Sequence, residues 1–177
     1  STLKNNLKQQ ISALHQINLV NELWGDYRKV LETEFFIEKL IRKNKKEELF
    51  FEQSLFALEG IGKCYARLKK PDSAIIYFRK GITETLKKKD TLNYYSFVSR
   101  TGMALSIKGK YKQALDSLFK GDTNRSSFNK NYLPYFYYYV GKSFYNLGEI
   151  DKGVTYFKKI DSVYEINHIL SPELPNV

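Results

Sequence analysis

Three glycines sit inside apolar stretches at an almost fixed interval. Gly62, Gly102 and Gly141 are spaced by 40 and then 39 residues. The same kinds of residue recur around each. The first stretch reads Leu58, Ile61, Gly62, Tyr65, Ala74, Phe78 and Gly81. The second reads Val98, Thr101, Gly102, Leu105, Ala114, Leu118 and Gly121. The third reads Val140, Gly141, Phe144, Gly153, Phe157 and Ile160. A period in the range of roughly 20–50 residues marks an array of supersecondary units, each burying its apolar face only against its neighbours. Such arrays present long surfaces and act mainly by binding.

A glycine within a helical pattern costs about 1 kcal/mol relative to alanine. Three such glycines in register call for an offset, and close approach of a facing helix that a Cβ would block is the natural one. Ala74, Ala114 and Gly153 are then the small residues on the facing helix. Tyr65, Phe78, Phe144 and Phe157 are expected to fill the space between helix pairs. Gly109 and Gly148 follow apolar runs and precede Tyr111 and Ile150. They read as left-handed helix C-caps followed by tight turns. Pro71 stands at the corresponding turn of the first unit, where a missing N–H is tolerated. The pattern predicts helices over 3–23, 26–43, 47–69, 72–88, 92–108, 111–121, 131–147 and 150–166.

These residues resemble the tetratricopeptide repeat over roughly 50–167. In that family the first helix of a unit carries a large apolar residue, an apolar-Gly step and an aromatic. The second carries a small residue, an aromatic and another small residue. Departures are visible: the family's terminal proline is missing, Leu105 and Phe144 stand where the first unit has Tyr65, and Gly153 replaces Ala. The period is also longer than the family's usual one. The resemblance implies an all-α fold of antiparallel helix pairs stacked in a right-handed α-solenoid. Repeats are expected at about 50–90, 91–128 and 131–167, within 46–167. Residues 1–45 are expected to form a degenerate or capping helix pair. There Trp24-Gly25-Asp26-Tyr27 resembles a turn within a unit, but Asn18, Asn21 and Glu34 replace Gly, aromatic and Phe. Residues 168–177, with Pro172 and Pro175, read as an extended tail of a truncated chain. The loop 121–130 is rich in Asx and Ser.

Enzyme chemistry finds no constellation. His15 and His168 lack a second ligand at metal spacing. No phosphate-cradling Gly-rich loop and no Gly-x-Ser-x-Gly elbow occurs. The lone Cys64 cannot form an internal disulfide and reads as a small core residue. Neither cofactor nor metal is expected. No run of about 18 apolar residues is present, so a membrane would be met only through regions outside this chain, and the compartment stays open. The formal net charge is +10, which attracts nucleic acid, anionic lipid or acidic protein in principle. The lysines, however, come in short runs near helix ends, where they complement the macrodipole, and no nucleic-acid motif accompanies them.

The family's groove is lined by the first helix of each unit. Its offset carries over to Phe56, Glu59, Lys63 and Arg67, then Ser99, Arg100 and Met103, with Ser96 and Ser106 beside them. The last unit adds Tyr135, Tyr138, Lys142, Tyr145 and Asn146, with Tyr139. A protein or peptide segment with acidic groups would suit basic heads among Tyr rings. Packing of those tyrosines against a further unit or the 121–130 loop is the equal alternative. Glu59 and Lys63 stand where some members carry a Lys/Asn clamp for chaperone C-termini, so that recognition is not implied. A narrower resemblance joins Tyr156-Phe157-Lys158-Lys159-Ile160-Asp161-Ser162-Val163-Tyr164 and Ser171-Pro172-Glu173-Leu174 to Bacteroidetes-type regulators and sensor kinases. It implies the sensory or scaffolding part of a bacterial regulator. A peptide-pheromone receptor and a basic RNA-binding array are the alternatives.

Overall fold

The computed structural model describes residues 2–43, 50–122 and 132–167. They form eight α-helices: α1 Thr2–Leu23, α2 Tyr27–Lys43, α3 Phe51–Arg67, α4 Pro71–Lys88, α5 Thr91–Ile107, α6 Tyr111–Gly121, α7 Leu133–Asn146 and α8 Ile150–Asn167. No strand occurs among the described residues. The fold is all-α and built of helix-pair repeats, the α-solenoid class. The chain divides into two compact units, Ser1–Asp90 with α1–α4 and Thr91–Val177 with α5–α8. The expected helices agree to within about two residues, apart from the start of α3. That helix begins at Phe51, and the predicted 47–49 lies outside the described residues, as do most of the 121–130 loop and the 168–177 tail.

The four turns within the pairs share one geometry. Gly25, Lys69, Gly109 and Gly148 all adopt positive φ, between 56° and 85°. In each turn two backbone bonds close the preceding helix. Lys69 N–H donates to Ala66 O and Lys70 N–H to Tyr65 O; Gly109 and Lys110 do the same toward Ser106 and Leu105. Gly148 and Glu149 repeat it toward Tyr145 and Phe144, and Gly25 and Asp26 toward Glu22 and Asn21. This is the Schellman arrangement, and it satisfies carbonyls a helix end leaves open. It also explains why α3 stops at Arg67 although the apolar pattern runs on. Lys69 turns left-handed without being glycine, and Pro71 opens α4 at its first position.

Each periodic glycine meets its facing helix. A Cβ on Gly62 would lie 2.3 Å from the Phe78 ring. On Gly141 it would lie 2.7 Å from Phe157 and 3.1 Å from the Gly153 carbonyl. On Gly102 it would lie 2.9 Å from the Leu118 amide nitrogen and 3.0 Å from the Ala114 carbonyl. Phe78 and Phe157 therefore fill the space inside a helix pair, not the space between pairs. Ring triads serve the junction between pairs. In the first unit Tyr65 stacks on Tyr77 at 5.7 Å, and Phe35 meets Tyr77 edge-on at 5.9 Å. In the second, Phe144 stacks on Tyr156 at 5.8 Å with Phe119 6.2 Å from Phe144. Both triads draw one ring from the second helix of a pair and two from the next pair, in offset or edge-on geometries that aromatic quadrupoles favour.

Candidate interaction surface

The shared turns fix the register of the first helix pair. Counting back from Gly25 as from Lys69, Asn18 takes the place of Gly62 and Glu34 the place of Phe78. The polar pair does in α1 and α2 what Gly62 and Phe78 do in α3 and α4, and Gly141 and Phe157 in α7 and α8. Asn18 Nδ2–H donates to Glu34 Oε1 at 2.9 Å, and both side chains are buried. His15 Nε2 lies 3.8 Å from Glu34 Oε2. Among the described residues, His15 Nε2, Asn18 Oδ1 and Glu34 Oε2 find no hydrogen-bond partner. Gly60 of α3 makes room for the carboxyl, since a Cβ there would sit 2.9 Å from it. Burial pushes the Glu34 carboxyl up to about 7, against the opposing hydrogen bond from Asn18. Burial also lowers His15 below its ordinary value.

With that register, the offset that yields Glu59, Lys63 and Arg67 on α3 yields His15, Leu19 and Leu23 on α1, with Glu22 at the place of Ala66. Two contacts tie the stripes together. The His15 and Phe56 rings meet edge-on at 6.2 Å, and Lys63 Nζ lies 3.6 Å from Glu22 Oε2. The surface is then mixed in charge, with Glu22 and Glu59 beside Lys63 and Arg67. Leu19, Leu23 and Phe56 are each more than half exposed. Treating residues 1–45 as degenerate hid the α1 half of this stripe. The signal that finds it is the turn glycine Gly25, in line with Gly109 and Gly148.

The second unit treats the expected residues unevenly. Ser99 is fully buried, hydrogen-bonded to the Tyr132 hydroxyl and packed where a Cβ on Gly121 would lie 2.5 Å away. It therefore belongs to helix packing and not to an accessible groove. Ser106 is buried likewise, accepting from the Ser143 hydroxyl at 3.0 Å. Met103 is half-buried against the cluster of Leu115, Leu118, Tyr132, Phe136 and Val140. Arg100, Tyr135, Tyr138 and Lys142 are half-buried, while Tyr145 and Asn146 are exposed. The ammonium of Lys142 stands 6.0 Å from the Tyr138 ring centre, and Tyr138 leans on Phe157 at 6.3 Å. Asn146 Nδ2–H donates to the Lys142 carbonyl at 2.8 Å.

Among the described residues, no three His, Cys, Asp or Glu side chains gather as a metal site. Burial raises the Cys64 thiol to about 12, which removes its thiolate at neutral pH. No described helix is long and apolar enough to cross a membrane.

Residues 57–85 match a model of the tetratricopeptide repeat, and residues 135–164 match a second model of the same repeat. One stretch lies in each unit. No curated protein matches the sequence. Among solved structures, BtubC (BKLC) from P. vanneervenii is similar with a TM-score of 0.69 at 12% identity, covering 97% of this chain and 69% of that one. MamA protein is similar with a TM-score of 0.49 at 18% identity, over 93% of this chain and 100% of that one. At such identities the BtubC likeness speaks to the fold alone, and the MamA score is too low to carry an argument.

Proposed function

We propose that this chain is a non-enzymatic module that holds a segment of a partner protein along the stripe of α1 and α3. One observation carries the reading: Leu19, Leu23 and Phe56 stand exposed on a face whose two helices are already tied by His15–Phe56 and Glu22–Lys63. Leu and Phe side chains of that size gain about 1.5–3 kcal/mol each on full burial, so a partner that covers them has its binding energy at hand. The flanking Glu22, Glu59, Lys63 and Arg67 suit a partner with both signs of charge around an apolar anchor. The sequence suggests a segment with acidic groups; Glu22, which already engages Lys63, adds room for basic ones. Tetratricopeptide repeats generally serve protein–protein contact, which supports the same reading. The role as sensory or scaffolding part of a bacterial regulator rests on the resemblance at Tyr156–Tyr164, and sequencing the full gene product tests it.

The stripe itself is tested with a peptide array. Peptides retained by the wild-type chain should lose at least about tenfold in affinity with Leu23→Ala plus Phe56→Ala, since two apolar anchors are removed. Retention of the same peptides at unchanged affinity removes the α1–α3 stripe. Charge reversal of Arg100 and Lys142 asks the parallel question of the second unit.

A further inference from the structure

The other side of α1 carries an observation that the groove does not use. Counted from the shared turns, Ala13, Ile17 and Val20 of α1, with Trp24 just past its end, correspond to Ala57, Ile61 and Cys64 of α3, with Leu68, and to Phe136, Val140 and Ser143 of α7, with Leu147. In α3 and α7 the first three are buried, because α2 packs on α3 and α6 packs on α7. Ile61 and Val140 are 0% exposed, and Cys64 and Ser143 are 1% and 0%. In α1 the same places stand open: Ile17 is 53% exposed, Val20 47% and Trp24 81%. The spacing 13, 17, 20, 24 is the apolar seam of a helix that takes a helical neighbour. α1 thus carries the stacking face of a repeat, with no helix on it among the described residues.

We propose that this face of α1 is an interface between two copies of the chain, with α1 packed antiparallel on its counterpart. Three features of the molecule favour a second copy as the occupant. First, the stripe is self-complementary. A twofold axis passing between Asn18 and Leu19 sets Ala13 opposite Trp24 and Ile17 opposite Val20, so the smallest side chain faces the largest. Second, the interface continues one the fold already uses. α3 takes α2 in antiparallel fashion, with Glu34 beside Gly60 while Ile41 joins Phe50 and Ala57 in one cluster. Third, charge permits it here. The chain carries 29 Lys and Arg, yet none lies between Lys8 and Arg28. A molecule of net charge +10 repels its own copies over most of its surface. The flanking Gln16 and Asn21, also brought opposite by that axis, are uncharged hydrogen-bonding groups. The seam runs along four side chains per copy, which makes a small interface of weak, concentration-dependent association.

Sedimentation equilibrium over about 1–500 µM tests the proposal, a range set by the small size of the seam. The average mass should rise from 20.8 kDa toward twice that value. The emission of Trp24, the chain's single tryptophan, should shift to the blue over the same range. Two variants fix the register. Ile17→Lys with Val20→Lys places ammonium opposite ammonium and should hold the chain monomeric. Ile17→Lys with Val20→Glu places opposite charges across the axis and should keep the dimer. Both positions are about half exposed in the single chain, so far-UV dichroism and melting should stay near wild type. A wild-type mass that stays at 20.8 kDa throughout overturns the interface. A dimer that survives the double lysine change places it elsewhere on the molecule. Equal dissociation by both variants overturns the antiparallel register.

Discussion

Replacing Glu34 by Gln should remove a pH dependence of stability that the wild-type chain owes to one carboxyl. Glu34 is 5% exposed, holds one hydrogen bond from Asn18 and, among the described residues, leaves Oε2 without a hydrogen-bond partner. Its charged form is opposed chiefly by burial and also by Glu22 and Glu59, while Asn18 and Lys63 favour it. The folded state therefore holds the proton up to about 7, against 4.5 for an ordinary Glu. The sign follows from proton counting. Below pH 4.5 folded and unfolded chains both carry the proton, and the stabilising contribution is complete. Between 4.5 and 7 the unfolded chain releases the proton first, so stability falls as pH rises. Above 7 both states are ionised and the loss is constant. The full difference corresponds to about 3 kcal/mol at about 1.4 kcal/mol per pH unit, an upper figure because water entry on ionisation relaxes the site.

His15 runs the other way. Its folded-state affinity for a proton is lowered by burial, so stability falls as pH drops below its ordinary 6.5. The two effects overlap in the wild type, and a bare pH scan blends them. Urea unfolding of wild type and Glu34→Gln, followed at pH 5, 6, 7 and 8 and repeated on a His15→Gln background, isolates the carboxyl, because groups away from the site cancel in the difference and the neighbouring imidazole is then absent. Far-UV dichroism follows the loss of helix, because Trp24 is already 81% exposed in the folded chain. The advantage of wild type over the Gln variant should shrink by about 2–3 kcal/mol between pH 5 and 8. A difference flat to within about 0.5 kcal/mol would refute the burial of Glu34 in a site that excludes its charged form.

The remaining expectations concern packing and turns. Gly102→Ala should cost about 2–3 kcal/mol by urea midpoint, because its Cβ would press on the Leu118 and Ala114 backbone and push two helices apart. A loss below that of Gly148→Ala, where nothing lies within 4 Å of the added Cβ and only the left-handed φ resists, would contradict the close-approach account. Lys69→Gly should raise stability by a few tenths to about 1 kcal/mol, since the equivalent turns at Gly25, Gly109 and Gly148 use glycine at positive φ. A neutral or lower midpoint would show that the Lys69 side chain compensates its backbone. Cys64 should resist alkylation at pH 8 until the chain unfolds, because burial holds its thiol near 12. Modification at the rate of a free thiol would place it at the surface.

The periodic glycines make the architecture readable because each marks a contact that tolerates no side chain, and contact geometry is what recurs when repeats stack. The first pair escaped that reading for a physical reason. Its Asn18 and Glu34 solve the same packing problem with a hydrogen bond, and no apolar pattern registers a buried polar pair. The turn survives where the core residues diverge, since Gly25 answers a backbone demand that is independent of what packs inside. Ser99 erred in the opposite direction. The family offset places it on the groove, but Tyr132 precedes α7 and reaches back to it, and a hydroxyl pair at that distance in sequence leaves no trace in helical periodicity.

The departure in the first pair also says where the molecule can change. The Gly–Phe and Gly–Leu contacts of the later pairs are apolar and indifferent to pH, whereas Asn18–Glu34 couples the seating of α1 on α2 to a proton. The cycle Asn18→Gly, Glu34→Phe and both together tests whether the slot is one structural position. Each single change should be strongly destabilising, the first by leaving Glu34 without its donor and the second by burying the Asn18 amide beside a ring. The double variant should recover a coupling of about 1–3 kcal/mol, because Gly opposite Phe is the contact that Gly62 and Phe78 already make. Additive losses would mean that the two sites are unrelated and that the register counted from Gly25 is wrong. Recovery without the pH slope of the wild type would show that the first pair gives up apolar packing for a titratable joint.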